Sequence, residues 1–177
     1  YKDERFAQKV CLTCHAPFAL LNGDLRLTRE LTREGVNCDF CHSVSDVRSV
    51  NNAYEFEQSF GLLKQGPLKD VVSPAHQTRF NPLYKDSRIC SGCHEYENEE
   101  GLKLMETFRE WQSGPYAKEG IHCQNCHMRK VSGKIVREEI LQTPEKAVSS
   151  HDIAGGHSPS MREKSLQIDI KSVRRNK

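Results

Sequence analysis

This chain has little apolar material, no dominant charge and no cysteine outside one repeated motif. Hydrophobic residues make up 36% of its 177 positions and aromatics 7%, with a single tryptophan and a mean hydropathy of −0.70. Ordinary globular domains hold about 45–50% apolar residues. A chain this polar predicts a weak core or partial disorder if it folds unaided. No stretch approaches the roughly 20 apolar residues of a membrane span. The 26 Lys and Arg nearly balance the 24 Asp and Glu, leaving a formal charge of +2. That balance gives no ground for a nucleic-acid partner. The basic run from Lys171 to Lys177 reads as a solvated tail or strand edge.

All eight cysteines lie in four copies of Cys-x-x-Cys-His: Cys11–His15, Cys38–His42, Cys90–His94 and Cys123–His127. A bare Cys-x-x-Cys fits half a zinc site, a thioredoxin-type pair or part of a disulfide framework. None of these needs a histidine directly after every second cysteine. Ferredoxin-type runs often end in Cys-Pro, and no cysteine here precedes proline. Cys-x-x-Cys-His is the attachment signature of c-type haem, in which two thiols bond the ring and the histidine ligates iron. The motifs predict four covalently attached haem c groups on Cys11, Cys14, Cys38, Cys41, Cys90, Cys93, Cys123 and Cys126. The proximal iron ligands are then His15, His42, His94 and His127. Haem propionates and ferric iron bring the expected oxidised charge to about −2. Each haem is a large flat apolar body that the polypeptide wraps, so folding is expected to depend on attachment.

Four further histidines remain: His76, His122, His151 and His157. Their number equals that of the distal faces, which predicts bis-histidine ligation throughout. Iron held on both sides has no open position for substrate and suits electron transfer. His122 adjoins Cys123, so it is badly placed for its own motif's iron and would have to reach a neighbour. Methionine is the other common distal ligand. Met105 reads as core, Met128 directly follows His127, and Met161 is the reserve.

The motifs fall into two pairs. Cys11 and Cys38 are 27 positions apart, Cys90 and Cys123 are 33 apart, and 52 separate the pairs. Glu34-Gly35-Val36-Asn37-Cys38 parallels Glu119-Gly120-Ile121-His122-Cys123. This predicts a haem domain over 1–164, built of two dihaem modules at about 1–50 and 85–135 with distal-ligand segments between and after. Residues 165–177 form a C-terminal tail, either the start of a missing β domain or an assembly strand. The expected class is mainly α with extensive loops around four stacked haems. Helices are expected over Asp24–Glu34, stopped by Gly35, and over Leu102–Gln112, ended by Ser113-Gly114-Pro115. Residues 43–89 read as a long loop draped over haem faces, and Leu166, Ile168 and Ile170 as a strand.

Several stretches resemble the tetrahaem cytochrome c-554-like family. They are Gly35 to His42, Ser73-Pro74-Ala75-His76, Glu110 to Ala117, Gly120 to Met128, and His151 to His157, together spread over most of residues 7–160. The resemblance implies a mostly helical, loop-rich fold with closely stacked haem pairs, and His76, His151 and His157 as axial ligands. Some family members keep one haem five-coordinate. The stretch from Ser165 to Asn176 resembles the start of a β domain in longer relatives. Some other extracellular tetrahaem cytochromes polymerise, with a histidine lent to the next subunit.

Two functions fit. One is an electron carrier without catalytic residues, exchanging electrons with redox protein partners as a monomer or as a homo-oligomer or filament. The other is an oxidoreductase with one open haem acting on a small nitrogen or sulfur compound. The Cys-x-x-Cys-Lys motif of nitrite reductases is absent. Trp111, Tyr116 and Tyr96 are candidates to line an electron path or to pack against porphyrin. Haem attachment takes place outside the cytoplasm, so a periplasmic or extracellular location is expected, with a signal peptide already removed before Tyr1.

Overall fold

The computed structural model describes residues 4–50, 53–166, 168, 169 and 171. It contains 35% helix and 21% strand. Helices α1 (Glu4–His15), α2 (Pro17–Leu21), α3 (Glu30–Arg33) and α4 (Cys38–His42) open the chain. Strands β1 (Val44–Val50), β2 (Ala53–Gln58), β3 (Leu63–Gly66) and β4 (Gln77–Phe80) follow. A 3-10 turn at Pro82–Lys85 leads into α5 (Arg88–His94), β5 (Tyr96–Glu97), β6 (Lys103–Met105), α6 (Thr107–Ser113) and α7 (Pro115–Lys118). The last elements are α8 (Cys123–His127), β7 (Lys130–Gly133), β8 (Lys146–Ser149) and α9 (Pro159–Ser165).

The strands pair only in twos, as β1–β2, β3–β4, β5–β6 and β7–β8, and β3–β4 alone of these is parallel. Residues 43–89 are therefore not a plain draped loop. Their alternation is hidden in sequence because the β1–β2 register shifts between Val44 and Asp46, which inserts an extra residue into the period. The helix expected over 24–34 shrinks to α3. Asp24 explains this, since its carboxylate accepts from the Thr28 and Arg29 N–H groups and from the Thr28 and Thr32 hydroxyls. It caps a helix from outside instead of continuing one, and Leu27 takes a positive φ of 53°.

The helix expected over 102–112 begins only at Thr107. Asn98 holds Leu102 through both its backbone and its side chain, which lays β6 beside β5. Leu104 and Met105 are consequently exposed, and Met105 is not core. The predicted end at Ser113-Gly114-Pro115 holds, because α6 stops at Ser113 and α7 starts at Pro115. In the C-terminal tail Leu166 and Ile168 lie outside any strand, while Ile170 falls outside the described residues.

The core is small and divided. One cluster joins Leu12, Ala16 and Ala19 with Leu20, Leu25 and Leu27. The other joins Val44, Val47 and Leu83 with Tyr54, Phe56, Tyr84 and Ile89. Aromatic contacts extend these patches. Phe18 meets Phe60 and Phe40, and Phe40 meets Phe56 edge-on at 5.5 Å. A second row runs from Tyr54 through Phe108 and Trp111 to His122. The solvent-accessible surface is 13451 Å². A compact monomer of this mass exposes about 8,800 Å², so the polypeptide leaves roughly half as much again uncovered.

Candidate haem sites

Each Cys-x-x-Cys-His motif closes a helix whose last residue is the histidine: α1, α4, α5 and α8. Helical winding puts residues i, i+3 and i+4 on one face. Both thiols and the imidazole of every motif therefore share a side, as attachment and ligation of one flat ring require. Asn37 caps α4 by accepting the Phe40 N–H at 2.9 Å. Asn125 holds the start of α8 by accepting the His122 N–H at 2.7 Å.

The parallel between the second and fourth motifs extends to backbone. Gly35 and Gly120 have φ of 73° and 68°, a left-handed conformation that glycine adopts without strain. Asn37 and His122 are both extended, at φ −98°, ψ 173° and φ −87°, ψ 161°. Both motifs are thus entered through the same turn. A side chain on Gly35 would also press on the His15 carbonyl at 3.0 Å.

Three histidines share one hydrogen-bond pattern. His42 Nδ1 lies 2.6 Å from the Gln65 carbonyl, His127 Nδ1 lies 2.5 Å from the Ala154 carbonyl, and His76 Nδ1 lies 3.1 Å from the Gln77 carbonyl. A carbonyl only accepts, so Nδ1 carries the proton and Nε2 presents its lone pair. This is how metal-bound histidines are oriented by their surroundings. His122 differs. Its Nδ1 accepts the Ser87 N–H at 3.1 Å, which puts the proton of the neutral ring on Nε2. Ser87, fully buried, also accepts the Cys123 N–H and so ties α5 to α8. Trp111 packs against His122 at 5.6 Å and donates to the Ile121 carbonyl, whereas Tyr116 is exposed.

The first and fourth motifs approach the third. The Cys14 thiol lies 3.8 Å from the Cys93 carbonyl, and Ser87, at the start of α5, accepts the Cys123 N–H at 3.0 Å. As free thiols Cys14 and Cys93, and likewise Cys90 and Cys123, split their acidities. Hydrogen bonding from Cys93 lowers Cys14 to about 7, against a smaller rise from burial. Hydrogen bonding from Cys90 lowers Cys123 to about 6. Cys90 and Cys93 are pushed up by the same bonds and by burial. Burial raises Cys41 too, and its charge is felt at both Cys90 and Cys93. Thioether formation would remove all of these titrations.

The residues fit haem. All eight thiols are free. Among the described residues no group of three or more His, Cys, Asp or Glu is arranged to hold a bare metal ion. Two buried polar atoms are unpaired beside the motifs, Gln65 Nε2 and Gln124 Oε1. Asn81 accepts from Leu83 N–H, so its other atom is the NH₂ group that donates to Gln65 Oε1. Gln65 Nε2 is then a buried donor next to His42, suited to an anionic group such as a propionate. His76 stands in an open recess of about 700 Å³ with Leu62, Leu63, Val71 and Val72. His151 and His157 are exposed.

The fold matches a solved structure, the penta-haem cytochrome c552 from Thermochromatium tepidum, with a TM-score of 0.64 and 25% identity. Its fold is that of a multihaem c-type cytochrome. The match covers 88% of this chain and 44% of the other, so this chain spans less than half the length of its structural relative. Residues 2–43 match the family model described as cytochrome c554 and c-prime. No curated protein matches the chain. No helix among the described residues is long and apolar enough to cross a membrane.

Proposed function

We propose that the chain is an extracytoplasmic electron-transfer cytochrome carrying four haem c groups with bis-histidine ligation. The observation that carries this is the approach of the first and fourth motifs to the third, with the Cys14 thiol 3.8 Å from the Cys93 carbonyl and the Cys123 N–H bonded to Ser87 at the start of α5. Groups anchored at neighbouring thiols are close enough to exchange electrons without a diffusing carrier. Haem c supplies reversible one-electron exchange between ferric and ferrous iron. The chain anchors each group through two thiols on one helix face. It fixes the ligating nitrogen of His42 and His127 with backbone carbonyls and surrounds the sites with apolar and aromatic side chains. His15, His42, His94 and His127 ligate one face, and His76, His151, His157 and His122 are the candidates for the other. The modules at about 1–50 and 85–135 then act as one conducting unit, because the first motif faces the third. Redox proteins are the expected partners, and assembly of copies through the tail is compatible with this role.

One observation favours a second reading. His122 carries its proton on Nε2 while Ser87 occupies Nδ1, so neither nitrogen offers a free lone pair in this arrangement. If no other ligand replaces it, one iron keeps an open face and the protein acts on a small nitrogen or sulfur compound. The holoprotein mass gives the haem count, with four expected. Paramagnetic resonance of the oxidised protein then decides between the readings. Four low-spin haems that bind neither cyanide nor nitrite support the carrier; a high-spin haem that binds them supports the enzyme.

A further inference from the structure

On the reading that each motif carries haem, the geometry points to one axial pair and to the strap that builds it: His42 and His151 close opposite faces of the haem on Cys38 and Cys41, and the strap 150–154 that delivers His151 also orients His127 of the fourth motif. The two imidazoles, 109 positions apart in sequence, have centroids 6.1 Å apart with planes inclined by 37°. A metal–nitrogen bond of about 2 Å, extended by roughly 1.2 Å to the ring centre, places two trans imidazoles about 6.3 Å apart. Ordinary ring packing spans this distance too, so the surroundings decide. His42 already has Tyr84 stacked nearly parallel to it at 5.6 Å. Its Nδ1 is engaged by Gln65, which leaves Nε2 as its ligating atom. Among the described residues no protein group hydrogen-bonds the His151 ring. The His151 ring is exposed and committed to no protein partner, so it is free to meet iron opposite His42.

The strap is over-determined, as a ligand-bearing segment should be. The β7–β8 hairpin returns the chain to α8, where Ser150 N–H donates to the Arg129 carbonyl at 2.8 Å. Ala154 N–H donates to the His127 carbonyl at 3.1 Å, and the Ala154 carbonyl accepts from His127 Nδ1 at 2.5 Å. Between these clamps Ile153 has φ of 43°. A β-branched residue there is strained, and such strain persists where surrounding contacts fix a functional geometry. Five residues thus supply the distal face of the second haem and the orientation of the fourth.

The test uses the holoprotein. His151→Ala is expected to keep the wild-type haem count by mass and to convert one haem from low to high spin, with added imidazole restoring low spin. In a Cys38→Ser/Cys41→Ser background, which lacks the second haem, the same substitution is expected to create no new high-spin haem. A new high-spin signal in that background would assign His151 to another iron and overturn the pairing. So would the absence of any change in the otherwise unaltered protein. If His151→Ala does not accumulate, proton NMR of the unaltered protein reads the same point. Nuclear Overhauser contacts from the His151 ring to the haem bonded at Cys38 and Cys41 support the pair, and contacts to a different haem refute it. A wild-type mass short of four haems would defeat the functional reading while leaving these outcomes at the second motif decisive.

Discussion

Gly92→Ala tests how tightly the third motif is packed. Gly92 lies inside α5, between Cys90 and Cys93, and a Cβ there would meet the Phe56 ring at 2.6 Å from Cε2 and 2.8 Å from Cε1, with Cζ nearer still. The ring has nowhere easy to go. It is edge-on to Phe40 at 5.5 Å and packs on the Val44, Val47 and Leu83 cluster. Overpacking of this kind costs about 1–3 kcal/mol, while alanine in a helix returns about 0.5–1 kcal/mol relative to glycine. The net expectation is a loss of about 1 kcal/mol, or a Tm lower by about 2–4 °C for a chain of this length. Thermal unfolding of the holoprotein followed by far-ultraviolet circular dichroism measures it, with the haem count checked by mass. Gly156→Ala, where a Cβ meets nothing within 4 Å, is the control and should change little. Phe56→Leu removes the clashing ring, so adding Gly92→Ala to it should bring no further loss. An unchanged or raised Tm for Gly92→Ala, or an undiminished cost in the Phe56→Leu background, would refute the reasoning.

Two further outcomes are expected. Glu95, which follows the third motif, has a buried carboxylate held by the Arg109 side chain at 2.9 Å and by the Arg109 N–H at 3.1 Å. Arg109→Met strands that carboxylate and should cost about 1–3 kcal/mol in denaturant unfolding; a loss below the error of the measurement would show that the pair does not matter. Asp24 is held well below its ordinary value of 3.8 by the Thr32 hydroxyl, then by the Arg29 N–H and by Thr28. Its folded value is depressed, so its stabilisation is fully present above about pH 4 and is lost as pH falls through the folded value. Asp24→Asn should therefore be less stable than wild type at neutral pH, with the gap in unfolding midpoint closing in acid; a gap independent of pH would contradict this.

The helical placement of each motif is legible in the sequence, because Cys-x-x-Cys-His spacing suits one helix face and each motif ends a helix. The shared turn is legible as well, in Glu34-Gly35 and Glu119-Gly120, since glycine marks a backbone conformation that other residues resist. Strand structure is not. A four-residue strand such as β3 finds its parallel partner β4 through contacts remote in sequence, and the bulge at Val44–Asp46 erases the period of β1. The short stretch Leu102-Lys103-Leu104-Met105 fits helix and strand periods alike, and the bonds with Asn98 decide between them. The candidate distal histidines are visible only as a count. Which face each one closes depends on returns such as β7–β8, which place His151 beside a ring 109 positions earlier.

The nearness of cysteines from different motifs carries a consequence for how the protein is made. Cysteines of different motifs brought near one another, as Cys14 is to Cys93 with its thiol 3.8 Å from the Cys93 carbonyl, are candidates for oxidation to disulfides in an oxidising compartment. Cys123, with its acidity raised to about 6, is largely thiolate at neutral pH and so the readier attacker. A chain that compacted before modification would cross-link its motifs in the wrong combination and block both ring sites at once. If the motifs carry haem as proposed, the spacing that would serve conduction therefore sets an order of events, with thioether bonds made before, or while, the helices close on one another.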